Sequence, residues 1–558
     1  MATMTPEDGG KGPVSEDINE QLQASRAMED DLEPGHFDVA NIERIYRKLD
    51  RRIISAFWVL YFLCSAIRSN VGLAQTMNED SGHDLGTVLN LTPHQISTAL
   101  ALFYVGYVVF DVPSNLVMTR LSPHVWMSRI VLSVGLIGTC MTAMKAEWSF
   151  YLLRLLLGIV EAGLWPGMTY YLTLFYPPSR IGKRIGYYFT ASQVSAAVVG
   201  LVSAGFQKMD GAKGYVGFQW MFLIWGVVTI ALGFGQLWWL PDRPTPPGEP
   251  LPRRHKLLRW LPDTPPALTG EDAEVHYQDM KRVYHSPNWS WMDLLRVFMD
   301  WRLWPLLIMY FGVVGVGIGV QLYANLIIQA INPNLSGVVI SLLTAPIWIV
   351  RALALTNEFR LIDMQMDLIA IVIVTPFSDR FHRHRALFFS IPVLLQILGL
   401  LLTSYAGSEE NPWPRYGGLL IVGFGLGPTV PITMTWTAEI FQPRHGEVGV
   451  AAASAVVSGW GNLGSILTTY ALYSGWTSDY EAPGRQKYRK SNLVMVGILI
   501  ASILAAVLMQ ILVRVIDRHQ HRTDDLDGAA AREVEQRGLK GLGSGVSRWM
   551  RRAKNVGN

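Results

Sequence analysis

Arg68 stands inside the first strongly apolar stretch of the chain, residues 53–72 (IISAFWVLYFLCSAIRSNVG). A guanidinium keeps its charge, and at membrane depth it costs at least about 2.5–3.5 kcal/mol on insertion scales. An anion must offset that cost, either a protein carboxylate or a substrate. The competing reading is snorkelling: a helix running from Arg52 at about 1.5 Å per residue puts Arg68 about 24 Å along, beyond the midplane. A second charged pair lies in the run RLLLGIVEAG at 154–163. Its spacing puts Arg154 and Glu161 on one helix face, two turns apart. Desolvation favours the neutral form of a buried carboxylate and a nearby arginine favours the charged form. Glu161 can therefore take up and release a proton as its partner comes and goes. A structural ion pair that locks helices is the plainer alternative.

Asp111 and Arg120 bracket a third motif, DVPSNLVMTR at 111–120, in which Pro113 removes a backbone hydrogen bond. A gate or interhelix latch suits Asp111 better than a substrate contact. Asp379 and Arg380 occupy the equivalent place further on, in PFSDRFHRHR at 376–385. Tyr104, Tyr107, Gln193, Gln321, Tyr323, Asn325 and Asn462 are polar groups in apolar surroundings, each either interhelical glue or a ligand. No metal-ligand spacing, phosphate loop or nucleophile elbow appears, and His382 and His384 fall in a basic loop. Cys64 and Cys140 read as buried small residues without disulfide or metal. No enzyme and no cofactor are expected.

These residues need elements to hold them. The chain has 558 residues, 50% hydrophobic and only 16% charged, against about 25% charged for a soluble domain. Its apolar residues form long runs near 53–76, 95–119, 125–144, 148–176, 185–206 and 217–240, then 302–330, 337–378, 386–405, 415–441, 448–474 and 491–516. That pattern predicts an all-α membrane protein of twelve transmembrane helices in two six-helix bundles, 53–240 and 302–517. Residues 241–301 form a polar central loop. Residues 1–52 read as a disordered tail closing on a basic cap, and 518–558 as a basic tail at the membrane surface. No secretory signal peptide is visible. Basic clusters after segments two, four, six and eight put both termini in the cytosol. Arg485, Lys487, Arg489 and Lys490, on the opposite side, weaken that rule locally. The sequons at Asn90 and Asn334 then face outside, where glycosylation is expected. Glycines 312, 315, 317 and 319 in segment seven suit either a soft helix or close packing. Glycines 423, 425 and 427 with Pro428 and Pro431 mark a similar point in segment ten.

Segment eight is interrupted by Arg351, Glu358, Arg360, Asp363 and Asp367. Removing 350–365 joins 337–349 to 366–378 as a helix long enough to span. Codon degeneracy permits splice-like signals at both ends, so 350–365 is read as a retained intron. A genuine looped-out insertion is the alternative, and transcripts carrying these codons in abundance would establish it.

On these motifs the chain resembles the major facilitator superfamily. More narrowly, it is similar to the fungal anion:cation symporters, the allantoate, nicotinate and pantothenate permease group, over about 50–517. The residues are Arg68-Ser69-Asn70-Val71-Gly72, Asp111 to Leu116, Arg154 to Ala162 and Ser378-Asp379-Arg380. The resemblance implies that Arg68 binds a substrate carboxylate, with Asn70, Tyr104, Gln193, Gln321 and Asn462 around it. Glu161 would carry the coupling proton and Arg154 tune it. Asp111, Arg120, Asp379 and Arg380 would act as gates. The partners implied are a small anion, protons and the plasma-membrane bilayer, with no nucleic acid and a monomeric chain. Ile67 departs from the family, which keeps an acid there. Without a neighbouring carboxylate, Arg68 is expected to await an anionic ligand, and coupling rests on Glu161 alone, has altered stoichiometry or is absent. The lost acid also suits an exporter of an anionic secondary metabolite. A non-transporting sensor is the reading from another class.

Overall fold

Long apolar runs without β-branched alternation must satisfy their backbone within each segment, so they fold as helices. The computed structural model describes residues 39–244, 265–281, 291–333, 335–348, 366–381, 384–408 and 411–515. All regular elements among them are helical. The first half comprises α1 (Val39–Ala74), α2 (Pro93–Arg120), α3 (Pro123–Cys140), α4 (Glu147–Glu161), α5 (Leu164–Thr173), α6 (Pro178–Gln207) and α7 (Gly217–Trp239). Two helices of the polar stretch follow, α8 (Glu271–Lys281) and α9 (Trp291–Met299). The second half contains α10 (Leu303–Ile331), α11 (Gly337–Trp348), α12 (Met366–Arg380), α13 (Arg385–Tyr405), α14 (Trp413–Leu426), α15 (Thr429–Gly461), α16 (Leu463–Ala471) and α17 (489–515). Among the described residues, 11 helical stretches are long and apolar enough to span a membrane. Segment eight is present as the shorter α11 and α12. The insert at 350–365 and the sequon at Asn334 lie outside the described residues.

The halves meet along α1 with α10, α2 with α15 and α16, and α6 with α11 and α12. The outward faces stay apolar: Val109 is 60% exposed and Leu504 65%, as expected of side chains that face lipid.

Three boundaries differ from expectation. The tail assigned to 1–52 ends early, because α1 already begins at Val39. Ile45, Tyr46 and Leu49 are buried there. Helix α8 covers them, tied by Arg44 and Lys48 to Asp272 and by Tyr46 to Asp279 at 2.6 Å. His276 of α8 is buried and donates to the Phe175 carbonyl at 2.9 Å. Burial holds its imidazole below the usual histidine range, partly offset by that bond. Segment four breaks between α4 and α5 at Gly163 (φ +86). A Cβ at Gly163 would run into Ser114, so this turn requires glycine. Segment eleven breaks at Asn462, and α15 runs unbroken through the loop expected before it; the break of segment ten, between Leu426 and Thr429, falls at the soft point its glycines and prolines marked. The glycines of segment seven serve packing: α10 is continuous, and a Cβ on Gly315 would stand 3.0 Å from Gly464 of α16.

Candidate functional site

Helix α1 buries the face that carries Tyr61, Cys64 and Ile67, and Arg68 emerges one step round from Ile67. Its Nη1 donates to Glu161 Oε1 at 3.2 Å, and the two side chains are 12% and 1% exposed. The expectation that Arg68 lacks a protein carboxylate is therefore corrected. The acid comes from the end of α4 instead of the neighbouring position. Ile67 itself packs onto α3, where a Cβ on Gly138 would stand 2.9 Å from its Cδ1.

The Arg68–Glu161 pair forms part of the wall of a cavity between the halves. Tyr104, Tyr107, Gln193, Gln321 and Asn462 share that wall, so seven of the polar residues singled out in the sequence converge there. Gln321 Nε2 donates to Ser69 Oγ at 2.8 Å across the two halves. Asn462 is held by its own helix, donating to the Ser458 carbonyl at 2.7 Å and accepting from Ser465 at 3.2 Å. It braces the junction of α15 with α16 while facing the cavity.

Two expected members stand elsewhere. Asn70 is fully buried, off the cavity wall, and neither of its amide atoms has a hydrogen-bond partner. Arg154 is also fully buried and off the wall, its guanidinium carbon 5.0 Å from the Phe103 ring centre. None of its three guanidinium nitrogens makes a hydrogen bond. Glu161 pairs with Arg68, not with the arginine on its own helix.

The rest of the wall is aromatic and was missed. Tyr61, Phe103, Trp165, Phe189 and Tyr310 line it with Leu164 and Val313. Helical spacing held the signal: Tyr61 lies two turns before Arg68, and Phe189 one turn before Gln193. Trp165 packs against Tyr61, Tyr188 and Phe189 with ring centres 5.2–5.3 Å apart. Such close aromatic contacts make a rigid wall.

Asp111 lies off this cavity but next to it. It is fully buried, and its Oδ1 accepts the Gly163 N–H at 2.8 Å. The break before α5 frees the amides of that helix's first turn, and Asp111 caps one of them from a neighbouring helix. Its Oδ2 faces the opposite half, where a Cβ on Gly459 would stand 3.3 Å away. Asp111 thus ties α2 to the start of α5 and abuts Gly459 of the opposite half. Arg120 and Arg380 are exposed, and the Asp379 side chain lies outside the described residues. The buried charge at that end of the second half is Arg385, 1% exposed, which donates to Glu439 of α15 and, at 3.0 Å, to Ser378. Asn90 is exposed in the left-handed region (φ 52), and Thr92 of its sequon caps α2.

Residues 57–469 match the Major Facilitator Superfamily. The chain is 43% identical over 508 residues to Vitamin H transporter 1 of Schizosaccharomyces pombe, covering 88% of this chain and 84% of that one. It is 30% identical over 270 residues to a putative tartrate transporter of Agrobacterium vitis, covering 48% of this chain and 56% of that one. The fold resembles an inward-facing, unoccupied bacterial homologue of the human lysosomal transporter Spinster, with TM-score 0.54 and 14% identity, over 84% of this chain and 97% of that one.

Proposed function

The chain belongs to the major facilitator superfamily and is a multi-pass membrane transporter, and from that premise we propose that it takes up a small organic carboxylate by alternating access, coupled to protons. This places it with the fungal anion:cation symporters, as a plasma-membrane monomer with both termini in the cytosol and a glycan on Asn90. The relatives' names offer vitamin H and tartrate as the first substrates to try.

The Arg68–Glu161 pair carries the reading. It stands on the wall of a cavity that both halves line, where any occupant contacts both halves. A substrate carboxylate offers Arg68 the same acceptor chemistry as Glu161 and so competes for its donors. Once released, Glu161 is a desolvated acid without its cation, the condition that favours protonation. Proton and substrate then travel together, and the pair re-forms after both leave. Gln193, Gln321, Tyr104 and Asn462 orient the remainder of the substrate. Arg154 adds a fixed positive field behind Phe103 that favours an anion in the cavity.

Arg68→Lys tests this directly. Lysine keeps the charge but loses the planar fork that grips a carboxylate. Uptake should fall by at least about tenfold, with correct membrane insertion shown by surface labelling, for a loss on the order of 1.5 kcal/mol or more of charged hydrogen bonding. Normal uptake kinetics in the variant would remove Arg68 from the binding site.

A further inference from the structure

We infer that the lipid-facing side of α3 holds one anionic phospholipid, whose phosphate pairs with Arg129. The site lies on the outer surface of the first half and is separate from the cavity and its ion pair.

Arg129 is a cation in an apolar stripe. It shares a face of α3 with Leu136, which is 58% exposed, and with Cys140, which is exposed contrary to the burial expected of it. Spacings of seven and eleven residues put all three on one side of the helix. Phe234 and Trp238 of the adjoining α7 are exposed apolar groups as well. Such a face meets lipid, where an arginine needs an anion. Among the described residues no carboxylate pairs with Arg129. Its Nε is buried and has no hydrogen-bond partner.

The packing of α3 on α7 sets what stands at the same level. Gly135 lies against Ile230, Leu132 against Gly233 and Thr139 against Gly226. That antiparallel register brings Arg129 level with Gln236, a buried amide whose Oε1 also lacks a partner. Two unsatisfied polar groups therefore mark one level of an otherwise apolar pair of helices.

The depth is that of headgroup phosphates. Helical side chains lean toward the N-terminus, and the guanidinium of Arg129 sits 3.9 Å over the ring centre of Trp126. Trp126 is three residues after Pro123, the first of α3, so the charge lies about 5 Å above the helix start. Trp126 is itself fixed, because its indole N–H donates to Ser114 Oγ at 3.2 Å. Stacking on a fixed ring holds the guanidinium flat. Its remaining edge offers the planar fork that matches two oxygens of a phosphodiester. This is the end of the bundle where α1 meets α7, as Arg52 donates to the Trp239 carbonyl at 2.9 Å. Arg120 and Arg243 lie at that end too. A headgroup with net negative charge is favoured there over one that carries its own ammonium.

The test uses the full chain in detergent, with phosphatidylinositol and phosphatidylcholine added singly. Native mass spectrometry reads the affinity of each lipid, and thermal unfolding reads the stabilisation it confers. Phosphatidylinositol should bind the wild type more tightly than phosphatidylcholine. Arg129→Gln should weaken phosphatidylinositol by at least about fivefold, the worth of one basic residue near an anionic surface. Arg129→Lys keeps the charge without the fork and should fall between the two. Lys145→Gln removes the same charge from an exposed position just beyond the other end of α3, and should bind phosphatidylinositol like the wild type. Equal losses in Lys145→Gln and Arg129→Gln would reduce the effect to diffuse attraction and overturn the inference. Equal affinity of the wild type for the two lipids would also overturn it. Inorganic phosphate that displaces phosphatidylinositol, or stabilises the chain as well as the lipid does, would assign the site to a soluble anion instead. If Arg129→Gln fails to fold, Arg129→Lys decides, and wild-type affinity for phosphatidylinositol in that variant would remove Arg129 from the site.

Discussion

In the proposed mechanism Glu161 has two duties at once, as the acid that keeps Arg68 paired and as the group that takes up the proton. Removing one partner of a buried pair costs about 3–5 kcal/mol when the other charge is left alone. Glu161→Gln is gentler, because the amide oxygen still accepts from Arg68 while the negative charge is gone. It imitates the protonated state permanently. Proton-driven accumulation of the labelled acid should be abolished, whereas exchange of internal for external substrate should persist within a few-fold of wild type. Counterflow assays at matched pH separate the two. Accumulation against a gradient in the Gln variant would assign the proton to another group. Arg68 and Glu161 were both legible in the sequence, as charges in apolar runs. Their pairing was not, because they are 93 residues apart and meet only through the packing of the first half. The sequence drew attention to Arg154 instead, since helical spacing is visible along one segment and contacts between segments are not.

At the scale of elements, the break between α4 and α5 sits next to Glu161. Glu161 is the last residue of α4, and Gly163 turns the chain into α5. Asp111 holds that turn in place through the Gly163 N–H while abutting Gly459 across the seam. Asp111→Ala removes the cap and should lower stability by about 1–2 kcal/mol. Asp111→Asn keeps an acceptor of the same shape and should restore most of that loss. Thermal unfolding in detergent compares the two, and an Asn variant as unstable as the Ala one would show that charge, not capping, is what matters. Glycine 163 was visible in the sequence, but the apolar run continued through it, so the break was not. The reverse held in segment seven, where four glycines suggested softness and the helix is continuous. Hydropathy reports whether a stretch can cross a membrane. Where the stretch bends depends on which neighbour accepts its freed amides.

At the scale of the whole molecule, the two halves close over the cavity on the far face, away from the start of α1 and the end of α17, through a small set of polar contacts. Gln321 binds Ser69 at 2.8 Å, Tyr323 reaches Ser97 at 3.1 Å, Gln207 meets Ser341 at 3.3 Å and Gln329 meets Glu79 at 2.9 Å. Each such bond is worth about 0.5–1.5 kcal/mol net. That is enough to hold one face shut and weak enough for substrate binding to reverse. Apolar contact adds to them, since Gly72 lets α1 lie directly on the Leu322 backbone of α10, with a Cβ there only 3.0 Å from its carbonyl oxygen. Removing hydroxyls on the first half should therefore tilt the equilibrium without touching the cavity's charges. Ser97→Ala should move the population toward opening on the far face by about two- to tenfold, since Tyr323 keeps its bond to the Thr469 carbonyl at 2.9 Å and is not left unpaired. Ser69→Ala should do more, because Gln321 then loses its acceptor across the seam. The readout is the labelling rate of a cysteine placed at Gln193, in a chain whose Cys64 and Cys140 are replaced by alanine, using an impermeant maleimide added from outside. Faster labelling in both variants, with Ser69→Ala ahead of Ser97→Ala, is the expected order. Unchanged rates in both would mean that apolar packing around Gly72 and Leu322, not these hydrogen bonds, keeps the far face closed.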